Sequence, residues 1–540
     1  MPSIVNATTT AGVAVSGDNS GVLALQTNNG TTAVTISTAQ VATFVNDASI
    51  SGLTVGKGGG NETNSTVVGK GALAGTNTVG YNTAFGSGTL AVNTSGSSGV
   101  AIGFEAANAN TTGDYNTAMG SRALYTNTTG ASNTALGYNA LRLNTTASNN
   151  TAVGFQAGYS NTTGPQCFIG QQAGYSTTTG ESNTAVGAYR PLYSNTTGAY
   201  NTAIGRDALY SNTTASNNTA VGYQAGYKIT TGENNTCMGY QAGYAITTGS
   251  LNVSIGRLSM DVSVAITGQQ NNAIGNGTLR NLTSGNYNNA MGSGGLTNTT
   301  TGSNNVAVGQ NALRENTTSS SNTAVGFESG YYINGNNNTA IGMYALQGNS
   351  GGTGGSNNTA LGYTAGSGVT TGTFNTLIGY NAQANSSAGN QQLVVSSGGG
   401  SNGKGDNTGF INPNGGGVFQ GNNSSSWSTT SDRRLKKNIV DNNEGLDVIS
   451  QLRVRNFEYK LPSEVTELDE TCAVDKAGVQ LGVIAQELQE VCPDCVTEQT
   501  TGVLSVDSDN VFWHLVNAVK QLNAKVEAQA AEIAALKGVA

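Results

Sequence analysis

Ser431 and Lys436 stand five positions apart in the run SDRRLKKNI, a spacing that allows nucleophilic chemistry. A Ser hydroxyl is a weak nucleophile until a base removes its proton, and a desolvated Lys amine can do this at neutral pH. Since the chain contains a single His, a Ser–Lys pair is the more economical arrangement. Taken alone, the same residues also fit an alternative in which Ser431-Asp432 caps a helix and the basic residues form a solvated turn.

The cysteines form no regular framework, and we expect no stabilisation by disulfides. They lie at Cys167, Cys237, Cys472, Cys492 and Cys495. The run Cys492-Pro-Asp-Cys495 has the spacing of a redox or half-zinc motif, but a structural zinc needs four ligands, and the sequence offers neither a second pair nor a nearby His. The only His, His514, lies in an apolar helical pattern and is expected to be a packing residue. We therefore predict no metal site and no cofactor.

Charge divides the chain in two. The sequence has 540 residues, 77 of them Gly, with 22 basic and 30 acidic side chains; 29 of these charges follow position 430. The net charge of −8 argues against a nucleic-acid partner, because a phosphate backbone requires a basic face. The opening residues lack the basic start and apolar core of a signal peptide, and no stretch is long enough to span a bilayer. We expect neither secretion by the usual route nor membrane insertion.

Short pentads such as Asn150-Thr-Ala-Val-Gly154 recur through most of the chain. Their glycines fall at positions 69, 86, 103, 120, 137, 154, 170, 187, 205, 222, 239, 256, 275, 292, 309, 326, 342, 362 and 379. A second block, such as Gln156-Ala-Gly-Tyr159, and a polar turn separate successive pentads. Each repeat of about 17 residues thus suggests two short strands and two turns, which predicts a mainly β fold, a β-solenoid or β-roll.

One such chain is short of stabilising contacts. Ordering 17 residues costs about 25 kcal/mol, whereas burying four apolar side chains returns about 6–12 kcal/mol. Backbone pairing between coils supplies part of the difference, and we expect association of several chains to supply more by burying Ala, Val and Ile between them. Tyr residues recur at one repeat position and should stack as a ladder, with a carbohydrate-binding stripe as the alternative. They are Tyr159, Tyr175, Tyr193, Tyr210, Tyr227 and Tyr244.

The pentads over residues 61–384 resemble those in the heads of trimeric autotransporter adhesins and in the shafts of phage fibres. Such adhesins also need a signal peptide and a membrane barrel, and we find neither pattern, which favours a phage fibre. A polysaccharide-degrading tailspike would need paired carboxylates. Asp114, Glu181 and Glu233 each follow a turn in different repeats, so we expect no enzyme in the shaft. We attribute the repeated N-x-Thr tripeptides to turn chemistry rather than to glycosylation.

The C-terminal blocks SDRRLKKNI, GLDVISQLR, NFEY and GVIAQEL follow one another in order. Together they resemble the intramolecular chaperone domain of endosialidase-type tailspikes and phage fibres, a self-cleaving peptidase family also found in a eukaryotic membrane-bound transcription factor. The resemblance covers essentially all of residues 431–540. It implies that Ser431 attacks the preceding Thr430–Ser431 bond and that Lys436 is its base. Relatives continue the last block into a Pro-Glu-like turn, where this chain has Val491-Cys-Pro-Asp494.

Apolar residues at the end of the chain alternate in spacing between three and four, which predicts a coiled coil of about four heptads. They are Phe512, Leu515, Val519, Leu522, Val526, Ile533 and Leu536, with Gln529 at the one polar core position. Three strands are implied by the family rather than by the heptads. A buried Gln would fix the register at some cost in stability.

These patterns predict a homotrimeric phage fibre in four parts. Residues 1–60 attach to the tail or capsid, with an extra shaft element as the alternative; 61–384 form the β shaft; 385–430 form the distal tip; and 431–540 form a small α+β chaperone and autoprotease ending in a trimeric coiled coil. We expect assembly in the host cytoplasm, residence in the virion, and binding of a host-cell receptor such as a glycan. A bacterial surface adhesin and a polysaccharide-degrading tailspike are the alternatives.

Overall fold

A computed structural model of the chain divides into two compact units, Met1–Thr430 and Ser431–Ala540. The structure describes residues 53–59, 64–350, 354–397, 400–412, 431–468, 474, 476–499 and 502–538. It also describes the strands at 15–17, 23–26, 32–36, 42–44, 48–50, 418–420 and 428–429. No helix in these ranges is long and apolar enough to cross a membrane.

Strands make up the first unit. Before the repeats they are β1 Val15–Gly17, β2 Leu23–Gln26, β3 Thr32–Ile36, β4 Ala42–Phe44, β5 Ala48–Ile50 and β6 Leu53–Gly56. The repeats contribute β7 Thr66–Val68, β8 Thr83–Phe85, β9 Val100–Ile102, β10 Thr117–Met119, β11 Thr134–Leu136, β12 Asn150–Val153, β13 Gln166–Gln171, β14 Thr184–Tyr189, β15 Thr202–Ile204, β16 Thr219–Val221, β17 Thr236–Met238, β18 Val253–Ile255, β19 Asn272–Ile274, β20 Asn289–Met291, β21 Val306–Val308, β22 Thr323–Val325, β23 Thr339–Ile341, β24 Thr359–Leu361 and β25 Thr376–Ile378. The last four are β26 Leu393–Ser396, β27 Gly409–Asn412, β28 Val418–Gln420 and β29 Ser428–Thr429.

The repeats form a β-solenoid with one strand per coil. From β7 to β27 each strand pairs in parallel with the next strand of the sequence, and the partners are one repeat apart, as Ala118 is with Ala135 and Ala135 with Ala152. At the N-terminal end, β1 to β4 form a separate antiparallel sheet, in which β2 pairs with β1 and β3. The predicted mainly β solenoid with a spacing of about 17 residues is confirmed.

A ladder of buried Asn side chains connects successive coils by hydrogen bonds. The Asn oxygen accepts hydrogen bonds from the Asn of the next coil, and the Asn amide donates to a turn carbonyl, as Asn133 does to Ala147 over 2.9 Å. Its members are Asn82, Asn116, Asn133, Asn150, Asn183, Asn201, Asn218, Asn235, Asn252, Asn271, Asn288, Asn305, Asn322, Asn338, Asn358 and Asn375. Most pentads open with this Asn, with Ser65, Gly99 and Gln166 as the exceptions, and the ladder holds these coils in register.

The Asn residues of the N-x-Thr tripeptides form a second buried row, at the turns. The side-chain amide of Asn127 donates to the carbonyl of Gly130, three residues on, and to the side-chain oxygen of Asn110 in the preceding coil. This is the turn chemistry expected for Asn.

The pentad glycine is required by the close approach of successive coils. A Cβ placed on Gly222 would stand 2.4 Å from the carbonyl oxygen of Gly239, the equivalent glycine of the next coil. The φ of Gly222 is also 137°, a conformation that residues with a side chain rarely adopt. Both constraints repeat along the shaft, which explains the most regular feature of the sequence.

Ala lies inside each chain, which corrects the expectation that it would be buried between chains. Ala118, Ala135 and Ala152 are fully buried within a single solenoid, where they meet Leu124 and Leu141 from the second block. A strand alternates its side chains between two faces, and the central pentad residue points into the coil. The Val, Ile, Leu or Met that follows points outward and is partly or largely exposed in one chain.

The second block is a turn and not the second strand that we expected. Gln156 and Gly158 have φ values of 53° and 58°, so the chain bends at both positions while Ala157 is buried between them. Two left-handed residues in three exclude an extended conformation. The tyrosines that follow this block stack with ring centroids 5.0–5.2 Å apart from Tyr159 to Tyr244, so the predicted ladder is present.

The parallel ladder continues beyond residue 384. At β26 and β27 the ladder position is held by Gln392, whose backbone N–H donates to the side chain of Asn375, and the core positions by Val394 and Phe410. The strands β28 and β29 then pair antiparallel. Part of the region predicted as a distal tip is therefore solenoid in structure.

The second unit is a small α+β domain. Its helices are α1 Leu446–Gln451, α2 Ala485–Val491 and α3 Ser508–Gly538, and its strands are β30 Arg455–Phe457, β31 Gln480–Gly482, β32 Val496–Glu498 and β33 Leu504–Val506. The pairs β30–β31 and β32–β33 are antiparallel. Its buried core is small, with Leu488, Cys492 and Cys495 at the centre.

Candidate functional site

A short 3-10 turn brings Ser431 and Lys436 together. The turn covers Arg433–Leu435 and is capped by Asp432, whose carboxylate accepts a hydrogen bond from the backbone N–H of Arg434 over 2.8 Å. The turn folds the chain back, and the Lys436 Nζ donates to the Ser431 Oγ over 2.8 Å. Both side chains are exposed in the single chain. Thr430, the other residue of the expected scissile bond, lies outside the described residues.

The acidic residue beside this pair is neutralised by an arginine. The guanidinium of Arg434 donates to both carboxylate oxygens of Asp432, and this contact lowers the pKa of Asp432 and raises the pKa of Arg434. Asp432 therefore stays ionised and is paired with Arg434. The cap that the sequence offered as an alternative is present, with Asp432 as the capping residue, and so is the Ser–Lys contact. The capped turn and the Ser–Lys pair are therefore compatible.

Two contacts join β30 to α2 and β31. The guanidinium of Arg455 in β30 donates to both carboxylate oxygens of Glu487 in α2, at 3.1 and 2.8 Å. This ion pair lowers the pKa of Glu487. Gly482 in β31 faces the ring of Phe457, where an added Cβ would lie 3.2 Å from a ring carbon. The NFEY and GVIAQEL blocks are thus held together by a salt bridge and a ring contact.

One face of α3 binds the segment before α1. The side chains of Asn517 and Gln521 donate to the carbonyls of Asn442 and Asn443 at 2.9 and 2.6 Å, and Gln521 also accepts from the backbone N–H of Leu446. The sequence reasoning missed this polar face. His514, Asn517 and Gln521 are spaced by three and four residues, which places them on one face of the helix. This face differs from that of the heptads, so the sequence does contain a pattern that predicts it.

The predicted heptad positions of α3 form an exposed stripe in the single chain. Every apolar heptad residue from Phe512 to Leu536 is at least 45% exposed, whereas His514 and Ala518 are buried against the rest of the domain. The helix therefore packs one face against its own domain, and on another face its large apolar side chains are exposed among the residues that the structure describes.

Cys492 and Cys495 form a disulfide, which corrects the expectation that disulfides would be absent. The 3-10 turn Pro493–Cys495 brings their Cα atoms to 5.3 Å, a distance that a disulfide spans. Cys167 and Cys237 are free. The fold also brings His514 beside this pair, from a position 19 residues further along the chain. Such proximity could not be read from the sequence.

The expected acidic residues of the shaft lie in separate coils. Asp114 accepts hydrogen bonds from the backbone N–H and the hydroxyl of Ser97, at 2.7 and 3.0 Å, while Glu181 and Glu233 are exposed. Asp114 thus has a structural role in joining two turns.

Comparison with known proteins identifies the C-terminal region. Residues 431–497 match the model of a peptidase family described as chaperone of endosialidase. Myelin regulatory factor homolog 1 of Caenorhabditis elegans is 33% identical over 113 residues, an alignment that covers 19% of this chain and only 12% of that relative. The chain therefore carries a chaperone-of-endosialidase domain at its C-terminal end, after a β-solenoid shaft of about 17-residue repeats.

Proposed function

We propose that the chain is one protomer of a homotrimeric phage fibre, whose C-terminal domain gathers three chains and then cuts itself off at Thr430–Ser431. One observation carries the proposal: the Lys436 Nζ contacts the Ser431 Oγ at 2.8 Å. Ser431 is also the first residue of the compact C-terminal unit and of the family match. A nucleophile at the first residue of a domain is positioned to release that domain.

The proposed chemistry is an acyl shift followed by hydrolysis. Lys436 accepts the hydroxyl proton as the Ser431 Oγ attacks the carbonyl carbon of Thr430. The new C–O bond forms, the C–N bond breaks, and the α-amine of Ser431 takes up a proton. Water then hydrolyses the ester and leaves a shaft that ends at Thr430 and a fragment that begins at Ser431. The dyad needs no metal or cofactor for these steps.

Exposure of the dyad in one chain suggests how cleavage is coupled to assembly. Lys can act as a base only as the neutral amine, and removal of water favours that form. A neighbouring chain that covers Ser431 and Lys436 would supply the desolvation. Cleavage would then follow correct association and would act as a folding check, after which the shaft is kinetically trapped.

The trimer is supported by apolar surface that a single chain leaves open. Besides the stripe on α3, the C-terminal unit exposes Leu435, Val454 and Leu481 at 74%, 67% and 75%. Its buried core is small for its length. Large apolar side chains of this kind are typical of interfaces between subunits.

The fibre role rests on the shaft. A ladder of identical coils resists local opening and can carry a binding surface away from a particle. We propose that residues 1–60 attach to the phage tail or capsid, that the shaft or its tip binds a host receptor such as a glycan, and that the protein resides in the virion after assembly in the host cytoplasm.

Sedimentation of the full chain tests the trimer. Val519→Asp with Val526→Asp places two charges in the apolar stripe, and Ala524→Asp with Ala531→Asp places two charges on the opposite, exposed face as a matched control. We expect the control to sediment as a trimer and the stripe variant as a single, uncleaved chain. A wild-type protein that sediments as a monomer would contradict the proposal.

A further inference from the structure

Four side chains with metal-binding atoms converge away from the Ser–Lys pair, where the turn Pro493–Cys495 meets α3. The ligand atoms of Cys492, Asp494, Cys495 and His514 all lie within 4.8 Å of one another. We propose that these four side chains bind a zinc ion when the two cysteines are reduced. This site is independent of the proposed cleavage, since none of its residues belongs to the dyad.

The orientation of His514 suits a ligand. Its side chain is 5% exposed, and its Nδ1 lies 3.1 Å from the backbone carbonyl of Glu444. A carbonyl can only accept a hydrogen bond, so in the neutral imidazole Nδ1 carries the proton and Nε2 has a lone pair for a metal. Metal-binding histidines are held in this way, with the second nitrogen donating to a carbonyl or carboxylate.

The second ring nitrogen of His514, Nε2, lies beside the other candidate ligand atoms. Nε2 lies 3.6 Å from the Asp494 Oδ2, which is longer than a hydrogen bond. The Cys492 Sγ is 3.2 Å from the other oxygen, Oδ1. Asp494 itself is 61% exposed on its outer side, while Cys492 and Cys495 are buried. A buried imidazole nitrogen, two sulfurs and a carboxylate oxygen thus lie within 4.8 Å of one another.

The donor set favours zinc. Two thiolates, one imidazole and one carboxylate make four ligands, the number found in structural zinc sites. Thiolate and imidazole select zinc over magnesium or calcium, which prefer oxygen. The sequence argument against zinc rested on the absence of a nearby His, and α3 supplies that His.

The disulfide and the zinc site are alternative states of the same cysteines. A dithiol or phosphine reductant supplies two electrons, and two protons complete the conversion of the disulfide to two thiols. Zinc then displaces the two thiol protons and bonds to both sulfurs. The ion would fasten α3, which carries the heptads, to the segment after α2, so the redox state would determine how the stripe is held on its domain.

Metal content of the full chain tests the proposal. The protein is reduced with a phosphine, loaded with Zn²⁺ or Co²⁺ and freed of excess metal. We expect one ion per chain, and for Co²⁺ the visible absorption of tetrahedral thiolate coordination. His514→Ala and Cys492→Ser should each weaken binding by at least tenfold. Cys167→Ser, which changes a free thiol outside the cluster, should leave one ion per chain.

X-ray absorption spectroscopy of the zinc-loaded wild type identifies the ligand atoms directly. Because it needs no variant, the result does not depend on whether a variant folds. We expect two sulfur ligands at about 2.3 Å and two nitrogen or oxygen ligands at about 2.0 Å. A reduced wild type that binds no more metal than the Cys492→Ser/Cys495→Ser double variant would overturn the proposal. So would a spectrum without sulfur, or binding that His514→Ala leaves unchanged in a folded protein.

Discussion

The side-chain oxygen of Asn218 accepts two hydrogen bonds from Asn235, one coil further along the shaft: one from the backbone N–H at 2.9 Å and one from the side-chain amide at 3.1 Å. Asn235 repeats this arrangement with Asn252 and also donates to the carbonyl of Gly249. All three asparagines are fully buried. Asn252 is therefore held by Asn235, which is itself held by Asn218.

Asn235→Ala should loosen the coils on both sides of the substitution. It leaves the buried carbonyl of Gly249 and the buried N–H of Asn252 without these partners, at about 1–3 kcal/mol for each group. Hydrogen exchange of the neighbouring amides should report a loss of about 2–6 kcal/mol in the free energy of local opening. Asn276→Ala, at an exposed position, should change it by less than about 0.5 kcal/mol. Equal effects of the two substitutions would contradict the ladder's role.

Gly222→Ala should disrupt the shaft more than Gly277→Ala. Both glycines have positive φ, but an added Cβ meets the carbonyl of Gly239 at 2.4 Å in the first case and nothing within 4 Å in the second. Gly277→Ala, at a φ of 64°, carries the cost of a left-handed conformation, about 1–2 kcal/mol, without a close approach of coils. Thermal unfolding of the two variants measures the difference. If both lose the same stability, the close approach of coils is not the reason for the repeated glycine.

Cys237 should be inert to alkylation in the folded protein. Burial raises the pKa of its thiol to about 12, so the reactive thiolate is scarce at pH 8. Mass analysis after treatment with iodoacetamide should show Cys237 modified only in denaturant. Cys167, which is only partly buried, serves as the comparison in the same sample. Rapid modification of Cys237 under native conditions would show that the solenoid opens there.

The ion pair between Arg455 and Glu487 should make the C-terminal domain acid-sensitive. Because the contact lowers the pKa of Glu487, its stabilising effect is present above the carboxyl group's ordinary pKa and is lost as the pH falls through the lowered value. Glu487→Gln should therefore flatten the decrease in melting temperature below about pH 4. Glu490→Gln, on the same helix, should leave the slope as in the wild type. An unchanged slope in Glu487→Gln would exclude this contribution.

The repeat and the heptads were predictable because both are periodic along the sequence. The glycine spacing gave the coil length, the Tyr positions gave the stacked ladder, and the apolar spacing from Phe512 to Leu536 gave a helix with an exposed stripe. Periodicity did not show which face is inside. The Ala positions are therefore expected between chains from the sequence, although a coil with one strand buries Ala118 and its equivalents within the chain.

Contacts between distant residues were the part that the sequence could not supply. Gln392 continues the Asn ladder with another amide, which a search for identical pentads does not find. His514 reaches Cys492 only because α3 packs against the turn after α2. Ser431 and Lys436 were easier to predict, since a single turn of five residues closes the distance between them.

Intact-mass analysis of the purified full chain tests the central claim most directly, beside Ser431→Ala and Lys436→Ala, with Lys437→Ala as the exposed neighbouring control. We predict that the wild type and Lys437→Ala yield a shaft ending at Thr430 and a fragment beginning at Ser431, while both dyad variants stay at full length. A full-length chain in all four samples, or cleavage that persists in Ser431→Ala, would contradict self-cleavage by the Ser–Lys pair.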